Sequence, residues 1–217
     1  MSKVMVIGDL HCPADDSRYL AFCKQVYKKH QCNSVIFIGD IIDLESISFH
    51  DKNPELPGPT EEFKETLQRV KRWYDAFPSA KVCIGNHDNR VLRKMQKLGI
   101  PGFYARPLNE VYRVPNWKWD WSFEIDDVFY FHGDGGSSNL PAFNKAKSML
   151  QSVVCGHHHS KAGIMWVKGP KVQYFGMNVG CGVDLNHLAL SYARPHLTKA
   201  ILACGVVLDG KPYLEIL

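Results

Sequence analysis

Five short apolar segments of this sequence each end in a cluster of acidic, amide or histidine residues, and no other feature constrains the fold as much. Residues 3–7, 34–38 and 81–84 are rich in Val and Ile and are each followed by a glycine, which is typical of buried parallel strands. Residues 128–131 and 152–155 have the same apolar character. Ligands of open α/β sheets bind beyond the carboxyl ends of the strands, so the five clusters are expected to converge in one crevice.

Helices are predicted between these strands from the spacing of apolar residues and from capping residues. They are expected over residues 16–30, 60–77, 89–98 and 141–150. Thr60 is predicted to cap the second helix. The segment from Phe49 to Pro59 carries three prolines and a glycine, which predicts a loop. His50 in this loop is a candidate residue for the border of a pocket.

Antiparallel strands are predicted in the second half of the chain. Trp117, Trp119 and Trp121 alternate with polar residues before an Asp-Asp turn, which predicts an antiparallel hairpin over residues 117–131. The same alternation favours a strand covering the core over a stacking platform for a base. Further strands are expected over residues 163–167, 172–177, 200–208 and 211–217, so that parallel strands come first and antiparallel strands later.

These elements predict an α/β fold, a four-layer α/β/β/α sandwich of two mixed sheets with the helices outside. With 217 residues, 45% of them hydrophobic, the chain can bury one substantial core. No repeat, low-complexity tract or linker divides the sequence. We therefore expect a single domain over residues 1–217.

Composition excludes several other classes of protein. No apolar stretch approaches the ~20 residues that a membrane-spanning helix needs, and no signal peptide is recognised at the N-terminus. Seven cysteines without CxxC spacing suit reduced thiols in a cytosol, so a cytoplasmic protein with no membrane partner is expected. The net charge of +4 suits an anionic substrate and does not by itself identify a nucleic-acid binder. The oligomeric state is left open.

The polar clusters offer carboxylate, amide and imidazole donors without cysteine, which favours a catalytic site for Mn, Zn, Fe or Ni over a structural zinc site. The candidate ligands are Asp9, His11, Asp40, Asn86, His132, His157 and His159. Asp9 and His11 lie two residues apart, as do His157 and His159. Residues at this spacing project to the same side of an extended chain, so each pair can present two ligands together.

In chain order, the motifs read DLH from residue 9, GDIID from residue 39, GNHD from residue 85, FHG around His132 and GHHH from residue 156. They resemble the calcineurin-like metallophosphoesterase family, whose motif order is DxH, GDxxD, GNHD or GNHE, a lone His and GHxH. Each motif alone is weak. Five of them in the family's order, over about 150 residues and each after a predicted strand, make a chance match very improbable.

The resemblance implies a role for each motif residue. Asp9, His11 and His159 would hold one metal ion, Asn86, His132 and His157 would hold a second, and Asp40 would bridge the two. His87 would act as a general acid or stabilise the leaving oxygen, and Asp43 would orient it. Arg90 and Asn86 are candidate substrate-binding residues, although Arg90 could equally be a solvated helix residue. The cofactors would be two divalent transition-metal ions, with Mn expected in vitro and Zn, Fe or Ni as alternatives.

The resemblance implies hydrolysis of a phosphoester, and it leaves the ester open. Two metal ions roughly 3.5 to 4 Å apart can share a bridging hydroxide for in-line attack on phosphorus. The GNHD motif and the small size favour a phosphodiesterase acting on a small phosphoester or a nucleotide. The alternatives are a nuclease acting on nucleic acid, a phosphomonoesterase or protein phosphatase, and a non-catalytic scaffold with the same fold.

Overall fold

The computed structural model describes residues 2–49, 53–135, 138–189 and 198–217, and within them eleven strands form two sheets. The strands are β1 (Lys3–Ile7), β2 (Ser34–Phe37), β3 (Ala80–Cys83), β4 (Trp117–Asp120), β5 (Ser122–Ile125), β6 (Val128–Phe131), β7 (Ser152–Cys155), β8 (Ala162–Lys168), β9 (Gln173–Val179), β10 (Ala203–Leu208) and β11 (Lys211–Ile216). The first sheet has the order β11-β10-β1-β2-β3-β4, and the second has the order β5-β6-β7-β9-β8.

Both sheets are mixed. In the first, β1 to β4 run parallel, while β10 pairs antiparallel with β1 and with β11. In the second, β7 pairs parallel with both β6 and β9, and the two edge strands β5 and β8 are antiparallel. Parallel pairs therefore also occur late in the chain, where only antiparallel ones were predicted. The reason is that crossover connections join β6, β7 and β9, and the apolar pattern of a single strand does not show in which direction it runs relative to its neighbours.

Helices cover the outer faces of the two sheets. They are α1 (Tyr19–Lys29), α2 (Pro59–Ala76), α3 (Arg90–Lys97), α4 (Leu108–Val111) and α5 (Pro141–Met149). α2 begins at Pro59, one residue before the predicted Thr60, because proline is well tolerated at the first helical position. No helix among the described residues is both long and apolar enough to cross a membrane.

The alternation of side chains along β1 shows how the layers form. Met5 and Ile7 pack with residues of α1 and α2, among them Tyr19 and Trp73, in one buried cluster. Val4 and Val6 point to the opposite face and belong to a second cluster between the two sheets. Ala146 of α5 packs on Val153 and Tyr174 on the far side of the second sheet. The predicted α/β/β/α sandwich is confirmed.

One strand prediction was wrong in its extent. Residues 117–131 form two separate units, because β4 joins the first sheet beside β3, whereas β5 and β6 form the predicted hairpin in the second sheet. Trp117 is anchored in the first core, where its indole N–H donates to the carbonyl of Phe77 at 2.8 Å. Trp121 lies where the chain crosses between the sheets and is 56% exposed. Alternation is the same in either sheet, so it did not reveal the crossing.

The loop predicted from Phe49 to Pro59 is described in part. Residues 53–58 are irregular up to the start of α2, as expected. His50, the candidate pocket residue, lies outside the described residues.

Candidate metal centre

The candidate ligands lie at the carboxyl ends of strands from both sheets. Asp9, Asp40 and Asn86 follow β1, β2 and β3 of the first sheet. His132 and His157 follow β6 and β7 of the second sheet. These sheet ends lie side by side, so the seven predicted ligands converge on one pocket. Four of them are at most 2% exposed, namely Asp9, His11, Asp40 and His132.

One half of the pocket is formed by Asp9, His11, Asp40 and His159. The Nε2 atom of His159 lies 3.2 Å from Asp9 Oδ2 and 3.1 Å from His11 Nε2. His11 Nε2 is also 3.6 Å from Asp40 Oδ2. Carboxylate and imidazole donor atoms therefore point at a common centre.

The other half is formed by Asp40, Asn86, His132 and His157. The Nε2 atom of His132 lies 3.1 Å from Asp40 Oδ2, 3.1 Å from Asn86 Oδ1 and 3.1 Å from His157 Nδ1. The same Asp40 oxygen thus borders both halves. It is placed where one carboxylate could bridge two ions.

The donor set fits two divalent ions. Ligand atoms bound to one ion at about 2.0 to 2.2 Å lie roughly 3.0 to 3.6 Å from one another, and the separations above fall in this range. Mixed oxygen and imidazole donors suit the divalent ions Mn, Fe, Ni and Zn. The described residues therefore provide candidate ligand clusters for two ions, with the identity of the metal left open.

The electrostatics of the pocket also favour a cation. Burial alone would lower the pKa of His132, but the carboxylates of Asp40, Asp9 and Asp88 together outweigh burial and raise that pKa to about 10. Burial alone would raise the pKa of Asp40, but His132 and His87 hold it well below its usual range. The buried carboxylates thus remain charged and attract positive charge into the pocket.

The backbone at the strand ends is bent to aim these side chains. His11, Asp40 and His157 have φ angles of 50°, 49° and 63°, in the left-handed region that residues other than glycine rarely adopt. Hydrogen bonds stabilise the bends, since His11 N–H donates to Asp40 O at 2.9 Å and His157 N–H donates to Asp9 Oδ2 at 2.9 Å. Such conformations concentrate at functional sites because surrounding contacts must hold them.

Asp88, the last residue of the GNHD motif, organises the backbone beneath the pocket. Its buried carboxylate accepts hydrogen bonds from the N–H groups of Asp40 at 2.8 Å, Gly85 at 2.9 Å and Ile41 at 3.1 Å. It therefore ties the turn after β2 to the turn after β3. Burial, with the nearby Asp40 carboxylate, raises the pKa of Asp88 to about 7.

Asp43 holds both His11 and His87 through one carboxylate oxygen. Asp43 Oδ1 lies 2.9 Å from His11 Nδ1 and 3.0 Å from His87 Nδ1. Burial alone would raise the pKa of Asp43, but the hydrogen bonds from the two histidines outweigh it and hold that pKa well below its usual range. An ionised carboxylate only accepts, so it fixes the Nδ1–H form of both rings. This leaves Nε2 of His11 available to a metal ion, and it leaves Nε2 as the ring nitrogen of His87 that Asp43 does not engage.

His87 lies at the edge of the pocket with a raised pKa. Burial would lower the pKa of His87, but the carboxylates of Asp40 and Asp43 outweigh it. The ring edge contacts His11, with the two centroids 4.4 Å apart. His87 is therefore suited to hold a proton next to the metal ligands, as a general acid must.

Arg90 is buried against His87 rather than solvated. It is 6% exposed, and one guanidinium nitrogen donates to the carbonyls of Asp43 at 3.0 Å and Leu44 at 2.7 Å. The other terminal nitrogen lies 3.0 Å and 3.1 Å from the two ring nitrogens of His87. Arg90 thus braces the Asp43 turn and the His87 ring. Contact with substrate stays a prediction for Arg90 and for Asn86.

Glu62 of α2 is a positioning residue that the sequence analysis missed. Its buried carboxylate accepts hydrogen bonds from the N–H groups of Glu45 at 2.7 Å and Ser46 at 3.0 Å, and it also bonds the Ser46 hydroxyl. Together with Arg90 it fixes the turn that carries Asp43. The sequence does indicate that Glu62 faces inward, because it lies at helical spacing from the buried residues Thr66, Val70 and Trp73.

Gly156 allows the two sheets to approach at the pocket. A Cβ at this position would lie 2.3 Å from Asp9 Oδ1 and 2.4 Å from Ile38 Cγ2. We expect Gly156→Ala to displace Asp9, to weaken binding of one ion about 10- to 100-fold and to destabilise the fold by about 1 to 3 kcal/mol. Calorimetric titration with Mn²⁺ and thermal unfolding measure the two effects.

Gly163→Ala is the matched control, since a Cβ there has no heavy atom within 4 Å. It should bind two ions as tightly as the unmodified protein. Equal metal affinities in the two variants would contradict the placement of Asp9 among the ligands.

Comparisons with known proteins identify a family for this arrangement. Residues 2–184 match the family model described as calcineurin-like phosphoesterase. No curated protein matches the sequence at a significant level.

Solved structures similar to the chain include enzymes and a sorting protein. A metallophosphoesterase from Sphaerobacter thermophilus is 12% identical, with 99% of this chain and 88% of that chain covered and a TM-score of 0.49. YfcE, a phosphoesterase from E. coli, is 17% identical, with coverages of 99% and 98% and a TM-score of 0.45. Vacuolar protein sorting 29 from Cryptosporidium parvum is 13% identical, with coverages of 100% and 96% and a TM-score of 0.48. At these values, none of the three says what this chain binds or cuts.

Proposed function

The chain belongs to the calcineurin-like phosphoesterase family, and from this premise we propose that it is a two-metal phosphoester hydrolase that cuts phosphodiesters. The observation that carries the proposal is the complete donor set in one pocket, with His87 beside it. A scaffold that had lost catalysis would have no need for seven converging donors at donor-to-donor distances of 3.1 to 3.6 Å.

In this proposal the two ions are divided between the two halves of the pocket. The first would be held by Asp9, His11 and His159, the second by Asn86, His132 and His157, and Asp40 would be shared. When bound, the ions activate water as a nucleophile and neutralise the charge on the phosphoryl oxygens. Mn is the ion proposed for reconstitution, with Zn, Fe and Ni as alternatives that the same donors accept.

The chain's own catalytic contribution is proton delivery by His87. Asp43 engages Nδ1, so Nε2 is the atom left to protonate the oxygen that leaves phosphorus. Arg90 lies across the same ring and, with Glu62, fixes the turn that carries Asp43. A held and pre-oriented acid avoids reorganisation during the reaction. Asn86 and Arg90 border the place where a phosphoryl oxygen would bind.

A phosphodiester is the substrate class that we propose, in a small phosphoester, a nucleotide or a nucleic acid. The GNHD motif supports a diester over a monoester, through its resemblance to the small phosphodiesterases of the family. All seven cysteines are free and buried, which supports a cytoplasmic location.

A panel of substrates tests the proposal. The metal-reconstituted protein is assayed with bis(p-nitrophenyl) phosphate, p-nitrophenyl phosphate, cyclic nucleotides and single-stranded DNA. The expected result is a higher kcat/KM for diesters than for monoesters, abolished by chelation. A clear preference for the monoester would overturn the diester assignment, and no hydrolysis of any ester with two ions bound would overturn the hydrolase.

A further inference from the structure

The helix that follows His87 carries a stripe of positive charge. In its eight residues, α3 has four cations, Arg90, Arg93, Lys94 and Lys97, and no acidic residue. At 3.6 residues per turn these four positions fall on one side of the helix. Arg90 is the inner end of the stripe and contacts His87, so the stripe begins at the catalytic pocket and leads away from it.

The three outer cations converge on a single aromatic ring. The charged groups of Arg93, Lys94 and Lys97 lie 5.0, 4.4 and 4.3 Å from the centroid of the Phe49 ring. Lys94 also donates to the carbonyl of Ser48 at 3.0 Å. Attraction to the ring's negative faces holds these charges close together, whereas freely solvated side chains would spread apart. We call Phe49, Arg93, Lys94 and Lys97 the α3 cluster.

The α3 cluster concentrates positive charge on one side of α3. Within the described part of the chain, no carboxylate forms a salt bridge with any of its three cations, while Arg90 has Glu45 at 3.8 Å. Arg93 and Lys97 are exposed. Like charges held together raise the local positive potential and attract anions from solution.

We propose that the α3 cluster binds the phosphates of a single-stranded nucleic acid whose scissile ester lies at the metal centre. The inference rests on the proposed function and names its substrate class. The helix rises 1.5 Å per residue, so the stripe from Arg90 to Lys97 extends about 10 Å, which is long enough for about two to three neighbouring phosphates of one strand. A lone phosphomonoester would leave the outer cations unused.

A flexible strand suits this geometry better than a duplex. The ligand must follow an exposed helix face and also bring one ester to ligands that are almost fully buried. Duplex DNA has a persistence length of about 150 base pairs and cannot bend so locally at low cost. The Phe49 ring is surrounded by cations, so its part is to hold their positions rather than to stack a base.

Binding and turnover of a short strand test the inference. The triple variant Arg93→Gln/Lys94→Gln/Lys97→Gln is compared with Lys24→Gln/Lys28→Gln/Lys168→Gln, which removes the same charge from exposed positions on α1 and β8. The probe is a fluorescein-labelled, hydrolysis-resistant phosphorothioate thymidine strand of about eight nucleotides, within the usual site size of such proteins. Fluorescence anisotropy on the metal-reconstituted proteins gives Kd and its salt dependence.

The triple α3 variant should bind the strand about 10- to 100-fold more weakly. The slope of log K against log salt should be less steep by about 2, because each of the three lost phosphate contacts lowers the steepness of that slope by about 0.7. Its kcat/KM for the unmodified strand, divided by its kcat/KM for bis(p-nitrophenyl) phosphate, measures the preference for the strand. This preference should fall by a similar factor. Phe49→Leu keeps every charge and should still weaken binding several-fold, because the cations lose their common ring.

Equal effects of the two triple variants would overturn the inference, since net charge alone would then account for binding. Unchanged binding in Phe49→Leu would overturn the role of the ring in arranging the cluster. Hydrolysis of bis(p-nitrophenyl) phosphate without any preference for the strand would also overturn the inference and leave the proposed function standing. Specific strand binding by the α3 cluster without hydrolysis of any ester would support the binding site and overturn the proposed function.

Discussion

Replacing Asp40 with asparagine should remove both metal ions and lower phosphodiester hydrolysis by at least about 10³-fold. Asp40 Oδ2 lies 3.6 Å from His11 Nε2 and 3.1 Å from His132 Nε2, so the same oxygen serves both halves of the pocket. Asparagine keeps an oxygen for the N–H of His87, which donates to Asp40 Oδ1 at 2.8 Å. The change therefore removes charge while keeping shape.

Metal content after dialysis and kcat/KM for bis(p-nitrophenyl) phosphate measure the effect of Asp40→Asn. Asp127→Asn is the matched control, because this residue lies in the exposed turn between β5 and β6 and its φ of 59° is one that asparagine tolerates. The control should retain two ions and full activity. If Asp40→Asn also retained both ions, Asp40 could not be their shared ligand.

Replacing His87 with asparagine should leave two ions bound and lower kcat by about 10² to 10⁴-fold on a dinucleotide. Asparagine can donate to Asp43 from the position of Nδ1, as His87 does at 3.0 Å, but it has no group at the position of Nε2. An alkoxide leaving group of high pKa then departs without a proton. The reaction should become much slower although the metal ligands are unchanged.

The leaving group supplies the control for His87→Asn. The p-nitrophenolate of bis(p-nitrophenyl) phosphate is a stable anion and needs no proton, so its release should be slowed far less than that of the dinucleotide. Equal losses on both substrates would show that His87 does not act as the general acid. Loss of metal from the variant would instead place His87 among the ligands, near which it lies.

The sequence predicts the layers and the location of the pocket because both depend on local patterns. Each predicted ligand follows a short apolar segment, and the ends of neighbouring parallel strands share one edge of a sheet. The period-two alternation of β1 likewise assigns Val4 and Met5 to opposite layers. The predicted family is confirmed, and the structure brings the seven predicted ligands close together, Asn86 through its contact with His132.

The support of the pocket could not be predicted in the same way. Arg90 is buried because the turn at Leu44, with a left-handed φ of 56°, presents two carbonyls to its guanidinium. Nothing in the spacing of α3 indicates that turn. The helical spacing of Glu62 indicates that it faces inward. Its role cannot be predicted from this spacing, because its partners, the N–H groups of Glu45 and Ser46, are known only from the structure.

The crossing between the sheets at Trp121 was missed for a similar reason. Trp117 and Trp119 are on a strand of the first sheet, and the next strand begins at Ser122 in the second. Alternation of polar and apolar residues predicts which side chains point inward, but it does not indicate which sheet the strand belongs to. The choice depends on hydrogen-bonding partners. β4 pairs with β3, which lies far earlier in the sequence, whereas β5 pairs with β6, the next strand.

Titration of the metal-stripped protein with Mn²⁺, with hydrolysis of bis(p-nitrophenyl) phosphate followed at each addition, tests the central claim most directly. The two-metal phosphodiesterase predicts that hydrolysis rises until two ions are bound per chain and then stays constant. Two bound ions without hydrolysis of the diester, or full activity in the presence of a chelator, would contradict it.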